Sequence, residues 1–175
     1  MRRHRLVPFL CALALAAALP AAGAAQESSM RGTFTLNRQA SDNVRTAIDA
    51  AVARMSFVTR PIARGRLVRT NPLYERLTLD FDQRNVTVTL ENRRPIVSPV
   101  NGTPIKWTRE DGEQFDLSTE WENGRLEQTF KAEDGQRLNV YSISPDGGTL
   151  TMNVTITSPR LPRPLTYKLV YNRAR

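Results

Sequence analysis

The sequence predicts an all-β fold: an antiparallel meander β-barrel of about 8–10 strands with one amphipathic helix after the first strand. The first observation behind this prediction is a regular series of turns. Glycines follow Asp or Asn at positions 112, 124, 135 and 147, spaced 11 or 12 residues apart. Asp-Gly or Asn-Gly between alternating runs is the strongest short-range signal of a β-hairpin. The second observation is that the runs between these turns do alternate, as in "QFDLSTEWE" (114–122).

The same period of two marks strands along most of the chain, because successive side chains of a strand point to opposite faces of the sheet. Two proline-containing segments, 92–102 and 158–165, are interpreted as connections, since proline belongs at strand ends. The predicted strands are 32–37, 65–70, 77–82, 86–91, 103–109, 113–122, 125–133, 136–144, 149–158 and 165–172.

A sheet of this size with one apolar face must bury that face and protect its edges. Closing the sheet into a barrel achieves both. A sandwich of two packed sheets buries the face but leaves edges, and it remains the alternative. Consecutive tight hairpins favour the meander, and therefore the barrel.

Residues 41–57, "SDNVRTAIDAAVARMSF", break the alternation and predict a helix. Ser41 is expected to cap this helix, and Pro61 is expected to prevent any continuation. We expect the helix to close one end of the barrel, either as a fixed plug or as a lid that gates a ligand. The apolar residues that recur at helical spacing on one face are Val44, Ile48, Val52 and Met55.

The first 25 residues are typical of a cleavable secretory signal, with arginines before an apolar run and small residues up to Ala24 and Ala25. An uncleaved membrane anchor is the alternative. Cleavage would leave one barrel domain, 26–175, that is periplasmic or secreted and does not span the membrane. It would also remove Cys11 and His4, the only cysteine and the only histidine.

A mature chain without thiol or imidazole lacks the usual nucleophile, general base and transition-metal ligands. We therefore expect no catalytic residue, no metal and no cofactor. The formal net charge of +8 includes three arginines of the leader. An exported chain is also not expected to bind nucleic acid.

The first predicted strand lies in "RGTFTLN" (31–37) and carries Gly32 and Phe34. A Gly-x-aromatic pattern on the first strand of an exported meander resembles the first signature of the lipocalins and their calycin relatives. The run as a whole is similar to bacterial lipocalin-like proteins of unassigned function, and the helix after the first strand looks more like the fatty-acid-binding branch. The resemblance implies that a basic residue from the last strand, here Arg173, packs over the aromatic ring. It also implies a cup-shaped barrel that holds a small apolar molecule.

The inward positions of the predicted strands carry large aromatic residues, which either line a ligand cavity or fill the barrel. Thr119 and Gln128 interrupt this apolar face and leave room for a polar-lined pocket. The candidate cavity-lining residues are Phe81, Trp107, Phe115, Trp121, Phe130, Tyr167 and Tyr171.

The stretch 54–76 is rich in arginine and contains a single acidic residue, Glu75. It could contact an anionic head group or an anionic envelope surface. Ordinary solvated surface charge is the alternative. The candidate residues for contact with an anionic group are Arg60, Arg64, Arg66 and Arg69.

These observations favour a non-enzymatic extracytoplasmic binding protein that holds a small apolar or amphiphilic ligand in its barrel. The main alternative is a structural or interaction protein of the envelope with a filled barrel core. An outer-membrane barrel with its apolar face toward lipid, and an enzyme based on carboxylates or tyrosines, are the other two classes considered.

Overall fold

The computed structural model describes residues 27 and 29–174, so the predicted leader (1–25) lies outside the described residues. Within this range the strands form one antiparallel sheet, and two helices follow its first strand. The strands are β1 (Gly32–Leu36), β2 (Arg76–Phe81), β3 (Asn85–Leu90), β4 (Ile96–Pro99), β5 (Ile105–Thr108), β6 (Gln114–Glu122), β7 (Arg125–Ala132), β8 (Gly135–Ile143), β9 (Thr149–Thr157) and β10 (Leu165–Arg173). The helices are α1 (Val44–Val52) and α2 (Thr59–Thr70).

The sheet is a near-closed barrel with meander connectivity, as predicted. Its strand order is β4-β3-β2-β1-β10-β9-β8-β7-β6-β5, so the first strand pairs with the last and the two edges are β4 and β5. β4 closes the gap by approaching β6, where Asn101 forms an isolated bridge with Glu120. The hydroxyl oxygens of Ser98 and Thr119 lie 2.7 Å apart across the same junction. The strands of residues 29–174 therefore do not divide into two stacked sheets.

The apolar residues of the strands point into the barrel and form its core. In β6, for example, Leu117 and Thr119 are buried while Glu120 is exposed, which is the predicted alternation. The most completely buried side chains come from strands all round the barrel, including Phe34, Leu77, Leu126 and Tyr171. The core therefore lies inside a single, nearly closed wall.

The turn between β6 and β7 shows why the sequence marks its hairpins so clearly. Asn123 and Gly124 both have positive φ, 48° and 78°. A two-residue hairpin with positive φ at both positions matches the right-handed twist of its strands, and Asn-Gly adopts that geometry readily. The register follows from it, with Glu122 opposite Arg125.

The helical segment differs from the prediction in its caps and in its length. The N-cap of α1 is Asn43, whose side chain accepts a hydrogen bond from the Thr46 amide at 3.1 Å. The expectation for Ser41 was wrong, because its hydroxyl instead accepts from the Val170 amide at 2.9 Å. The expectation for Pro61 was also wrong. It lies in the first turn of α2, where a residue without an N–H is tolerated.

Two strand assignments were wrong. Residues 65–70 belong to α2 rather than to a strand; "RLVRT" alternates like a strand, but Leu67 and Val68 are only partly buried against the core from the helix. Segment 92–102 is more than a connection, because it contains β4. Pro99 ends this four-residue strand at an edge of the sheet, a position where proline is compatible with pairing. Neither helix within the described range is long and apolar enough to cross a membrane.

Candidate ligand-binding site

Both helices lie at one end of the barrel, between the last residue of β1 and the first of β2; we call this the helical end. Ion pairs connect α2 to its surroundings there. Arg64 binds Asp49 of α1, with Nε 2.5 Å from a carboxylate oxygen, and this hydrogen bond lowers the pKa of Asp49. Arg66 lies 3.5 Å from Glu113 and 3.9 Å from Asp134, which belong to the turns after β5 and β7. The second helix is therefore held across the mouth of the barrel.

The other two predicted arginines have different surroundings. Arg60 donates to the Met55 carbonyl at 2.8 Å, and Arg69 forms no ion pair within the described chain. Beside them, three apolar side chains around the start of α2 face solvent. Their exposed fractions are 87% for Phe57, 57% for Val58 and 72% for Ile62.

A pocket of about 460 Å³ opens beside α1 at the helical end. None of the seven predicted aromatic residues lines it. Apolar side chains and a few charged ones form its walls, and Asn71 lies where it meets the barrel interior. The lining includes Leu36, Arg38, Arg45, Ile48, Val68 and Asn71.

Asn71, only 6% exposed, links this pocket to the interior. Its side-chain oxygen accepts two hydrogen bonds, from Nη1 of Arg137 at 2.8 Å and from the Tyr167 hydroxyl at 2.9 Å. Its side-chain nitrogen donates to the Leu67 carbonyl of α2 at 2.9 Å. One amide oxygen thus occupies the point on which a guanidinium and a phenol converge.

Arg137 projects from β8 into the barrel without a negatively charged partner among the described residues. Its Nε donates to the side-chain oxygen of Asn139 at 2.8 Å, and its Nη1 donates to Asn71. A guanidinium has five N–H groups. The remaining three have no protein acceptor in the described part of the chain, so the side chain can bind an anion.

The hydrogen-bonded chain continues inward from Asn139. The side-chain nitrogen of Asn139 donates to the Tyr141 hydroxyl at 3.4 Å, and that hydroxyl donates to the side-chain oxygen of Gln128 at 3.3 Å. Burial raises the pKa of Tyr141 to about 12, so the hydroxyl stays protonated at neutral pH. The interior is therefore polar along one wall, and the two predicted interruptions, Thr119 and Gln128, are both buried.

The predicted aromatic residues all contribute to the core, and five of the seven form two groups. Near the helical end, Trp107 lies 5.6 Å from Phe115 and 5.2 Å from Phe130, measured between ring centroids. Toward the opposite end, Phe81 stacks on Trp121 at 5.9 Å. Tyr167 and Tyr171 are buried in β10, and of the seven only Tyr167 forms a hydrogen bond with Asn71.

Three residues of this site escaped the sequence analysis: Asn71, Arg137 and Asn139. A signal for two of them exists, because Arg137, Asn139 and Tyr141 share one face of β8. The mixed pattern of this strand masked that face, since Leu138 and Val140 suggest the opposite one. Asn71 carries no signal, because it lies in the connection that follows α2.

Taken together, the near-closed meander of ten strands, the helices at one end and the pairing of the first strand with the last define a small antiparallel β-barrel with a helical end. No model of a known protein family matches the chain, and no curated protein sequence is similar to it. The similarity to solved structures is clear.

The SAHS protein of Ramazzottius varieornatus aligns with a TM-score of 0.58 and 10% identity over 83% of this chain and 96% of that one. Fatty-acid-binding protein 1 of Echinococcus granulosus aligns with a TM-score of 0.52 and 12% identity, covering 85% and 99%. Human cRBP IV aligns with a TM-score of 0.53 and 19% identity, covering 83% and 98%. At these identities the likeness concerns the fold.

Proposed function

We propose that the protein is a non-enzymatic binding protein that holds a small amphiphilic molecule in its barrel, with the head group at Arg137 and Tyr167. From the leader at 1–25 we further propose that it acts outside the cytoplasm, in the periplasm or as a secreted protein. The observation that carries the proposal is Arg137 itself, a cation directed into the barrel without a carboxylate partner among the described residues.

Arg137 is half-buried. A cation partly withdrawn from water gains from a charged partner, and carboxylates form the strongest hydrogen-bonded pairs with arginine. The position of Asn71 indicates where such an oxygen would bind. Arg137 and Tyr167 both donate to its side-chain oxygen, at 2.8 and 2.9 Å, so a ligand oxygen can take the same place. The fold likeness to a protein named for binding fatty acids supports a hydrocarbon tail.

The test compares two probes of equal chain length, laurate and 1-dodecanol, by calorimetry on purified protein. Wild type should bind laurate more tightly than dodecanol, because only the carboxylate pairs with Arg137. Arg137→Met should weaken laurate binding about tenfold or more and leave dodecanol binding nearly unchanged, since a charged hydrogen bond contributes about 1.5–3 kcal/mol. The loss of preference distinguishes a head-group role from general damage to the barrel.

Arg163→Met is the matched control, because Arg163 is exposed in the loop before β10. It should leave the affinity for laurate unchanged. The proposal fails if wild type shows no saturable binding of either probe. It fails equally if Arg137→Met still prefers laurate.

A second function, docking on an anionic lipid surface, is favoured by the exposed apolar side chains Phe57, Val58 and Ile62. Monomeric soluble proteins seldom expose large contiguous apolar patches, and these three residues lie within six positions of one another in the chain. Arg60 and Arg69 lie in the same helical segment and would meet phosphate groups. We call this surface the α1–α2 corner; it would serve the interaction protein considered as the alternative.

Sedimentation with vesicles tests this second function. Phosphatidylglycerol vesicles should bind the protein and phosphatidylcholine vesicles should not. The double variant Phe57→Ser/Ile62→Ser should lose the binding, whereas Val97→Ser, at an exposed valine of β4, should keep it. If both variants sediment equally with phosphatidylglycerol vesicles, the α1–α2 corner is not the surface that binds lipid.

A further inference from the structure

The barrel interior contains three buried polar atoms with no hydrogen-bond partner in the described part of the chain: Nε1 of Trp121, Nε2 of Gln128 and the hydroxyl of Tyr171. Gln128 is 1% exposed and Tyr171 is fully buried. Buried polar groups in native proteins are almost always bonded, to protein, water or ligand. These three atoms are therefore positions at which water or a bound ligand can form a hydrogen bond.

The chain of hydrogen bonds that starts at Arg137 explains why Gln128 is left with a donor. A guanidinium can only donate, so the side-chain oxygen of Asn139 must face it. The Asn139 nitrogen then faces Tyr141, whose hydroxyl accepts that bond and donates onward to the Gln128 oxygen. Because this series of hydrogen bonds begins with a donor, the Arg137 guanidinium, and uses the oxygen of Gln128, it leaves the Gln128 nitrogen Nε2 as a donor without a partner.

The second unpartnered atom has the same character, because an indole N–H can only donate. Trp121 pairs with Leu126 in the register of β6 and β7, and Leu126 pairs in turn with Tyr141. Gln128 pairs with Asn139. The Gln128 and Trp121 positions are therefore two and four residues along the strands from the Arg137 position, about 7 and about 13 Å toward the end opposite the helices.

We infer that the ligand of this barrel carries acceptor oxygens along its apolar portion, in addition to the head group at Arg137. This inference rests on the proposed function and names its ligand class: an oxygenated amphiphile, such as an oxo- or hydroxy-substituted acyl chain, rather than a plain hydrocarbon acid. A carbonyl oxygen of the ligand beside Gln128 or Trp121 would accept a hydrogen bond from the side-chain N–H there, whereas a plain alkyl chain would leave that N–H unbonded. The Tyr171 hydroxyl, which both donates and accepts, is compatible with either kind of substituent.

The test uses ketones, because a ketone oxygen accepts and cannot donate. Octadecanoate is compared with a series of oxo-octadecanoates that carry the ketone at carbons 5 to 12, by displacement of a fluorescent probe. At least one oxo-acid should bind about fivefold or more tightly than octadecanoate, the size expected for one or two net hydrogen bonds. Gln128→Met and Trp121→Phe, which remove the donors, should each reduce this ratio toward one.

Tyr74→Phe is the matched control, since Tyr74 lies outside the core and contacts Arg93; it should keep the wild-type ratio. If octadecanoate binds but no oxo-acid binds more tightly, water satisfies the donors equally well and the inference fails while the proposed function stands. If neither class binds, both fail. Where a variant does not fold, the wild-type ratio alone decides.

Discussion

The guanidinium of Arg173 lies 4.6 Å from the centroid of the Phe34 ring, and the two residues are register partners in β10 and β1. The same guanidinium donates to the carbonyl of Gly147 at 2.7 Å and to that of Arg31 at 2.8 Å. It also donates to the Ser29 carbonyl. One side chain thus joins the first strand, the last strand and the turn after β8, at the end of the barrel opposite the helices. The prediction that Arg173 covers Phe34 is confirmed.

Arg173→Ala should lower the free energy of unfolding by about 3 kcal/mol. It removes a cation–π contact of about 0.5–2 kcal/mol and hydrogen bonds from a charged group to three carbonyls. Urea denaturation followed by tryptophan fluorescence measures the loss. Arg163→Ala, at an exposed loop position, should change stability by less than about 0.5 kcal/mol. If Arg173→Ala lowers the free energy of unfolding no more than Arg163→Ala does, the contacts of Arg173 do not contribute to stability.

Gly32→Ala should destabilise the barrel for two reasons that can be separated. Gly32 has φ +143°, and a Cβ there would collide with Nη1 of Arg173. Gly112 has φ +87° with nothing near a Cβ, so Gly112→Ala measures backbone strain alone, about 1–2 kcal/mol. Gly32→Ala should lower the free energy of unfolding more than Gly112→Ala does. This extra loss should shrink in an Arg173→Ala background, because the side chain that the new Cβ would meet is then absent. Simple additivity of the two substitutions would contradict this account.

Predictions from the sequence succeeded where local pattern determines structure. Asn123-Gly124 specifies a hairpin by its own backbone preferences, and alternation in β6 specifies which face is buried. The predictions failed where a segment is shaped by its neighbours. β4 pairs only through four residues of an edge, and α2 buries no side chain completely, so neither leaves a clear periodic signal. Arg137 was missed for a related reason, since a charged residue at an inward position resembles a polar outward one.

The raised pKa of Tyr141 predicts a loss of stability in alkaline solution. Burial favours the neutral phenol and raises the pKa of Tyr141 from 10 to about 12 in the folded state. A group whose folded-state pKa is raised contributes its full stability below the unfolded pKa and loses it as the pH rises through the folded value. Tyr141 should therefore account for a fall of about 3 kcal/mol between pH 10 and pH 12.

Urea denaturation across that range measures the effect. The stability difference between wild type and Tyr141→Phe should shrink as the pH rises. A parallel pH dependence of wild type and Tyr141→Phe would show that Tyr141 does not titrate in this way.

Asn71→Ala should tighten ligand binding while it weakens the fold, if the proposed head-group site is correct. The side-chain oxygen of Asn71 now occupies the point where Arg137 and Tyr167 converge, so a ligand must compete with it. Its removal should raise the affinity for laurate about tenfold and lower the free energy of unfolding by about 1–3 kcal/mol. Calorimetry and urea denaturation measure the two effects. Thr70→Ala, one residue away, should not tighten binding, and a weaker affinity in Asn71→Ala would show that Asn71 helps to hold the ligand.

The hydrogen bond between Ser98 and Thr119 closes the barrel where β4 and β5 do not pair, and both side chains are fully buried. Thr119→Val leaves the Ser98 hydroxyl without this partner and should lower the free energy of unfolding by about 1–3 kcal/mol. Adding Ser98→Ala removes the stranded hydroxyl as well, so the double variant should be no less stable than Thr119→Val. Urea denaturation of the four proteins in this cycle gives the coupling energy, and Thr87→Val on β3 is the control for loss of a threonine hydroxyl outside the junction. If the effects of the two single substitutions simply add, the closure of the barrel at this junction depends on apolar packing, and the hydroxyl pair contributes nothing specific.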